Sequence, residues 1–410
     1  MNQGEGGAVV EDRTAEHEQP GRHEQPASPD TVDTAETEDI SQAQRPDLEG
    51  PSLTRVMLLG SGELGRELVI ALQRLGAEVI AVDRYADAPL HGVADQSVVV
   101  NLTDTAELAA TIRRWQPKFV VTATDVIAAD ALTAAGAGLT ELVPSARSVR
   151  LTADLEGVRR LAADELGLPT APFWFAGSVD ELRSVAEHGG FPMVVKPVAA
   201  PPGEGQSVMV RAEDVEPAWQ HAESAGDRGT PARVLAETVV EVDHRVTLLT
   251  VRGDGPAGPV LDFCVPIGHR SIDGPDGQLV LESWQPQAMS TAALDAAKSI
   301  AARVVQALDG RGLFGVELMI RGNEVYFSGV STRPYDTALL TLRTQRLSGF
   351  ELQARAILGL TIDTIMISPG AARLLYSGRR AIDAAPAETR PEAVAVLVGA
   401  LNVAESDVMV

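Results

Sequence analysis

The chain has 410 residues, 45% of them hydrophobic and 22% charged, with a formal net charge of −23. That length exceeds one ordinary core and predicts two or three domains around a shared cleft, while the acidic balance excludes nonspecific nucleic-acid binding, which needs surplus Lys and Arg. No apolar run approaches the roughly 20 residues that cross a bilayer, and the N-terminus is acidic where a signal peptide is basic, so the expected location is the cytoplasm, away from membranes.

The first 50 residues carry thirteen acids against three arginines and few large apolar side chains. Such a segment cannot bury enough surface to offset its ordering entropy, and residues 1–52 read as a disordered acidic tail. Next, Arg55-Val-Met-Leu-Leu-Gly60 is an apolar run of the kind that forms a buried parallel strand entering a glycine turn. Helical apolar spacing over 67–75 and a strand over 77–83 complete a βαβ opening. Strands at 97–101 and 119–122 with a helix at 106–115 between them predict a doubly wound α/β domain over 53–151. A helix at 156–166 leads through Pro169 to the strand Pro192-Met-Val-Val-Lys-Pro197 and a glycine-bearing loop. From Val234 onward, strands joined by hairpins surround one long helix, 291–308, which predicts an α+β domain over 152–360 and a short remainder over 361–410. The single cysteine, Cys264, lies in the apolar run 261–267, the pattern of a buried thiol in a reducing compartment.

Three features carry chemistry. Gly60-Ser-Gly-Glu-Leu-Gly65 fits the G-x-G-x-x-G pattern, and Asp83 follows at the distance of a ribose-binding acid. Its mechanical content is smaller: glycines admit a close backbone approach, and a helix N-terminus favours an anion. A charged Glu63 in the turn disfavours pyrophosphate and suits a ligand amine, and nothing downstream supplies a hydride site. Lysine is scarce, with Lys118, Lys196 and Lys298 only, and Lys196 alone lies in an apolar strand. An ammonium there is costly unless paired, so either a phosphate partner or an exposed strand end accounts for it. Glu317 sits in the apolar stretch 314–320, where a magnesium ion bridging nucleotide phosphates would neutralise it.

Six segments carry a resemblance: Gly60-Ser-Gly-Glu-Leu-Gly-Arg-Glu67, 81–89, Phe191-Pro-Met-Val-Val-Lys-Pro197, Pro266-Ile-Gly-His-Arg270, Glu282-Ser-Trp-Gln-Pro-Gln287 and Gly312-Leu-Phe-Gly-Val-Glu-Leu318. In order and at matching spacing over about 54–360, they resemble the formate-dependent glycinamide ribonucleotide (GAR) formyltransferase family of the ATP-grasp superfamily. The resemblance implies an ATP-grasp fold, α/β and α+β, with an N-terminal doubly wound preATP-grasp domain and ATP held between two lobes. It implies that ATP phosphorylates formate to formyl phosphate, whose carbonyl the amine of glycinamide ribonucleotide attacks, in purine biosynthesis by a homodimer. Carried over residue by residue, the ATP positions are Lys196, Gly203, Gly205, Gln206, Glu237 and Val240, the substrate positions Glu63, Leu64 and Asp336, and the magnesium position Glu317. No catalytic side chain is singled out.

Several matching positions depart from the family pattern. The loop behind Lys196 reads Ala199-Ala-Pro-Pro-Gly-Glu204-Gly-Gln206, where prolines remove backbone donors and Glu204 puts an anion beside phosphate. The ribose-binding acid falls at Arg245, with Asp243 a candidate substitute. The second magnesium-binding acid falls at Gly329, a nucleotide-contacting arginine at Leu155, and a substrate-contacting acid at Ala123, although Asp125 keeps a neighbouring carboxylate. The family's basic cluster for the substrate phosphate has no match before Val410, and Arg379 and Arg380 read as solvated surface. These departures leave open a working formyltransferase, an acyl-phosphate ligase acting on an amine without phosphate, and a binding or regulatory protein that keeps the shell without turnover.

Overall fold

The computed structural model describes residues 53–124, 127–135, 140–198, 205–225, 232–255, 258–273, 279–375 and 398–408. The acidic leader, Asp125, Gly203, Glu204, Arg379 and Arg380 lie outside them. The described residues belong to one compact unit.

Its first sheet is built from β1 (Thr54–Leu59), β2 (Ala77–Asp83), β3 (Gln96–Val99), β4 (Phe119–Thr122) and β5 (Glu141–Val143), with α1 (Gly65–Arg74), α2 (Thr105–Trp115), α3 (Ala129–Ala135) and α4 (Ala146–Ala153) as connections. The strand order β3-β2-β1-β4-β5 is parallel throughout. β1 is covered on both faces, which is why it reads as an unbroken apolar run. Met57, Leu59 and Ile80 face Leu108 and Ile112, while Leu58, Val69 and Leu72 face Phe350, Ala354 and Ile357 from far along the chain. The order reverses between β1 and β4, and the crevice beyond such a reversal is where doubly wound sheets place ligands. Asp104 caps α2 by accepting the Ala106 and Glu107 N–H groups.

α5 (Leu155–Arg160) then runs into a π-helical turn, Leu161–Glu165, where the sequence predicts one unbroken helix. The apolar face of this segment, Val158, Leu161 and Ala162, belongs to the core of the largest sheet. A small antiparallel sheet follows, made of β6 (Phe173–Ala176), β7 (Met193–Pro197), β8 (Ser207–Met209) and β9 (Val234–Thr238) in the order β6-β9-β7-β8, with α6 (Val179–Gly189) and α7 (Val215–Ala225). Met193, Val195 and Ala236 bury against Leu182 and Trp219 of those helices. The two-residue period of a strand turns Phe173, Lys196 and Glu237 to the opposite face.

The largest sheet contains β10 (His244–Gly255), β11 (Gly258–Phe263), β12 (Ile267–Asp273), β13 (Leu279–Gln285), β14 (Gly312–Arg321), β15 (Glu324–Ser331) and β16 (Gly370–Leu375), with α8 (Thr291–Leu308), α9 (Thr341–Thr344) and α10 (Gly349–Leu358). Its order is β15-β14-β10-β12-β13-β16, with β11 paired to β10. Ala293, Ala297 and Ala301 let α8 lie close on Val246, Leu248, Phe314, Val316 and Leu318. α10 faces two ways: Leu352 and Ala356 pack with Leu249, Val251 and Leu313, while Phe350, Ala354 and Ile357 enter the first sheet's core. Residues 349–358, which the sequence groups with the α+β domain, therefore also complete the α/β one. Among the described residues no helix is long and apolar enough to cross a membrane.

Candidate functional site

On the large sheet, the residues left over by the α8 core set the chemistry. Because Val246, Leu248, Val316 and Leu318 point into that core, Arg245, Thr247 and Glu317 share the other face, with His269 opposite Arg245 and Gly329 opposite Glu317. The Thr247 hydroxyl donates to one Glu317 oxygen at 2.6 Å, and His269 Nε2 lies 2.8 Å from the other without making an aligned hydrogen bond. Thr247 also meets the Thr337 hydroxyl at 3.0 Å, which brings the turn containing Asp336 over this face. Glu317, read in sequence as a carboxylate inside an apolar stretch, is thus half-buried on a polar face, its side chain 21% exposed. At Gly329 an added Cβ would meet no atom within 4 Å.

On the small sheet, Lys196 and Glu237 are diagonal neighbours on the face away from α6 and α7. Lys196 Nζ donates to Glu237 Oε2 at 3.0 Å, and Arg159 Nη2 donates to Glu237 Oε1 at 2.5 Å. Arg159 is 1% exposed, its guanidinium 5.9 Å from the Phe173 ring centroid. Its Nη1 also approaches the Phe327 carbonyl of β15 at 3.4 Å, so this one side chain spans both sheets. The sequence reading missed Arg159. Its only signal is that it stands one helical turn beyond Leu155, within a run whose other members, Val158, Leu161 and Ala162, are core. Glu156 on the same helix takes Arg233 through both oxygens, at 2.6 and 2.9 Å, and that guanidinium, followed by Arg160, holds its pKa down at about 2.

The glycine turn after β1 explains its own misleading pattern. Asp83 is buried, its Oδ2 accepting the Ser61 N–H at 2.6 Å and its Oδ1 the Arg84 N–H at 2.7 Å. Both oxygens are spent on the backbone, so the acid that spacing assigns to a ribose fastens the turn instead. Gly60 has φ +96° with the Thr124 side chain where a Cβ would go, and Gly65 starts α1 against Leu90. Glu63 is exposed in the turn, and Leu64 is half-buried at the start of α1.

The remaining positions divide. Gly205, at φ +67°, leaves no space for a Cβ beside Ala225 and Pro197, Gln206 is exposed before β8, and Val240 is half-buried after β9. Asp243 accepts the Gly322 N–H at 2.7 Å through one oxygen and so braces the β14–β15 turn. Two of the resembling segments prove to be strand partners. Gly268 lies against Trp284 and Gln287, whose side chains join by a 2.7 Å hydrogen bond, and a Cβ at 268 would stand 2.4 Å from Gln287. Cys264 is buried and its thiol is pushed up to about 12 by desolvation, which suits an inert residue.

A doubly wound domain followed by a small and a large antiparallel sheet, whose faces away from their own helices α6, α7 and α8 carry a lysine and a carboxylate, is the arrangement of an ATP-grasp protein. Residues 53–153 match the ribonucleotide synthetase preATP-grasp domain and residues 161–350 the ATP-grasp domain. A formate-dependent phosphoribosylglycinamide formyltransferase from Paraburkholderia xenovorans (strain LB400) is 52% identical over 330 residues, 80% of each chain. A protein of the same name from Corynebacterium efficiens is 49% identical over 361 residues, 87% of each. The solved structure of glycinamide-RNase-transformylase T from Mycobacterium tuberculosis superposes with a TM-score of 0.71 at 57% identity, covering 87% of this chain and 91% of that one. The chain belongs to the formate-dependent phosphoribosylglycinamide formyltransferase family.

Proposed function

We propose that this chain binds magnesium-ATP weakly and formylates glycinamide ribonucleotide at an impaired rate. The observation that carries this is the pair Glu317–Gly329, one carboxylate facing a bare glycine in register on the face of the large sheet turned away from α8. Phosphoryl transfer rests almost wholly on positioning and charge neutralisation, so a missing metal ligand acts on the rate as well as on binding.

In the proposed reaction a formate oxygen attacks the γ-phosphorus of ATP and ADP leaves. The amine of glycinamide ribonucleotide then attacks the carbonyl of formyl phosphate, releasing phosphate. Lys196 directs its ammonium at nucleotide phosphates, Val240 and its neighbours meet the adenine, and Glu63, Leu64 and Asp336 hold the amine-bearing substrate. Magnesium takes one or two carboxylates plus phosphate oxygens and water, and when bound it neutralises charge on the phosphates. Glu317, oriented by Thr247, fits a one-carboxylate site, and among the described residues no group of three or more His, Cys, Asp or Glu is placed to hold a metal more firmly. The family likeness also suggests a homodimer, which light scattering would test.

The function is tested by calorimetric titration with magnesium-ATP, with and without formate, followed by phosphate release with formate and glycinamide ribonucleotide. The expected result is measurable nucleotide binding with turnover well below about 1 per second, the low end of ordinary enzymes. Turnover at or above that rate would overturn the impairment, and absence of nucleotide binding would overturn the whole assignment.

A further inference from the structure

We infer that Arg159 is a positioning residue that keeps the Lys196 ammonium available to phosphate by supplying Glu237 with a second, buried counter-ion. The inference rests on the nucleotide-binding assignment above and goes beyond it in naming a residue that no ligand can touch.

The argument is one of charge. Glu237 is 6% exposed, so its carboxylate must be compensated within the protein. Each oxygen has its own cation: Arg159 at 2.5 Å on Oε1 and Lys196 at 3.0 Å on Oε2. The two cations differ in access, since the Arg159 side chain is 1% exposed and that of Lys196 28%. Two positive charges on one negative charge leave the trio at +1, and the surplus resides on the one member that opens to solvent. Remove Arg159 and the remaining Lys196–Glu237 pair is neutral, with its ammonium pinned to a buried carboxylate that has no other partner. A neutral pair attracts a triphosphate far less than a free cation does.

Two further contacts show that the arginine suits this role. A guanidinium can bond Glu237 and the Phe327 carbonyl at once because its donors fan out in a fixed plane, and it lies over the Phe173 ring without losing charge. Arg159 is carried by α5, whose apolar side is locked into the large-sheet core, so Glu237 is referenced to the large sheet as well as to its own strand. Lysine at this position would keep the charge and lose the fan of donors.

The test compares Arg159→Met, Arg159→Lys, Glu237→Gln and the double variant Arg159→Met/Glu237→Gln with the unmodified chain, titrating each with magnesium-ATP and with adenosine. If Arg159 acts through Lys196, Arg159→Met loses at least tenfold in ATP affinity while adenosine affinity stays within twofold, because only the phosphate contact is spoiled. Arg159→Lys recovers part of the loss. Because Glu237 is itself an ATP position, the double variant, which leaves Lys196 as an unpaired cation and no buried carboxylate, is read relative to adenosine. Its ratio of ATP to adenosine affinity returns to within threefold of the unmodified chain, whatever it loses in adenosine binding or melting temperature. Should Arg159→Met not fold, the double variant and Arg159→Lys still decide the question. A parallel loss of ATP and adenosine binding in all arginine variants, following melting temperature, would overturn the inference in favour of a plain brace between the sheets. If the unmodified chain binds no magnesium-ATP, the nucleotide assignment fails first and this inference falls with it.

Discussion

Replacing Gly329 separates the charge of the missing ligand from its bulk. Residue 329 stands in register with Glu317, has an ordinary backbone φ, and has open space around a built Cβ, so Gly329→Glu and Gly329→Gln can both start their side chains there without a clash at Cβ. Filling a strand glycine with either side chain should stabilise the chain by about 0.5–1 kcal/mol through lost unfolded-state entropy. The glutamate also meets Glu317 across the strand pair. At roughly 5–6 Å and an effective dielectric of 20 the repulsion is ~3 kcal/mol before screening, and about 1 kcal/mol remains for two partly exposed carboxylates. Without metal, then, Gly329→Gln should melt slightly above the unmodified chain and Gly329→Glu close to it, a difference between the two of about 2 °C or less at this size. Magnesium should reverse the order. A second carboxylate on the same ion adds a charge-assisted contact worth about 1.5–3 kcal/mol, so Gly329→Glu should bind magnesium-ATP ten- to a hundredfold more tightly, and Gly329→Gln should not. Differential scanning fluorimetry with and without magnesium, paired with calorimetry, reads both terms. Equal magnesium-ATP affinity in the two variants would refute the view that this strand pair is the metal face.

Other perturbations are simpler. Lys196→Ala should weaken magnesium-ATP binding by about ten- to a hundredfold in calorimetry, and unchanged affinity would put the nucleotide elsewhere. Asp83→Ala should orphan the Ser61 N–H and lower stability by about 2–3 kcal/mol in urea titrations, while NAD should leave the melting temperature of the unmodified chain unmoved. Glu156 is held at about 2 against an ordinary 4.5, chiefly by Arg233; a depressed folded value means its contribution is intact above 4.5 and is lost as pH falls toward 2. Urea titrations across that window should show a shallower acid loss for Glu156→Gln, by about 1 kcal/mol because Arg233 is largely solvent-screened. Cys264 has the opposite sign, raised from 9.0 to about 12, so its contribution is complete below 9 and declines as pH climbs toward 12. At pH 8 a thiol reagent should label it only after denaturant is added.

Much of the fold was legible because its physics is local. A strand covered on both faces must be apolar throughout, so β1, β2 and β4 announce themselves, and α8 shows its full helical period over Thr291–Leu308. Of the candidate site, Lys196 and Glu317 drew attention in sequence because charged side chains inside apolar strands demand a partner, and the structure gives them Glu237 and Thr247. Asp83 shows the limit of spacing. Any acid at the end of β2 lands beside the turn after β1 by βαβ geometry alone, and only coordinates reveal that both its oxygens bond that turn. Arg159 and Arg160 are adjacent and chemically identical in sequence, yet one is buried on Glu237 and the other solvated, a distinction set by a sheet assembled from residues about 80 positions away. Asp243 likewise has a structural task that its sequence position does not show, fastening the β14–β15 hairpin through Gly322.

The dual-facing helix α10 bears on how such a chain is made. Leu68, Val69 and Leu72 bury against Phe350, Ala354 and Ile357, residues that leave the ribosome long after the last strand of the first sheet. At roughly 5–20 residues per second, that apolar flank stays uncovered for something like 10–40 seconds of translation. A nascent-chain fragment ending before residue 349 is accordingly the form of this protein most exposed to chaperone capture and proteolysis, and the arrival of one late helix closes that interval.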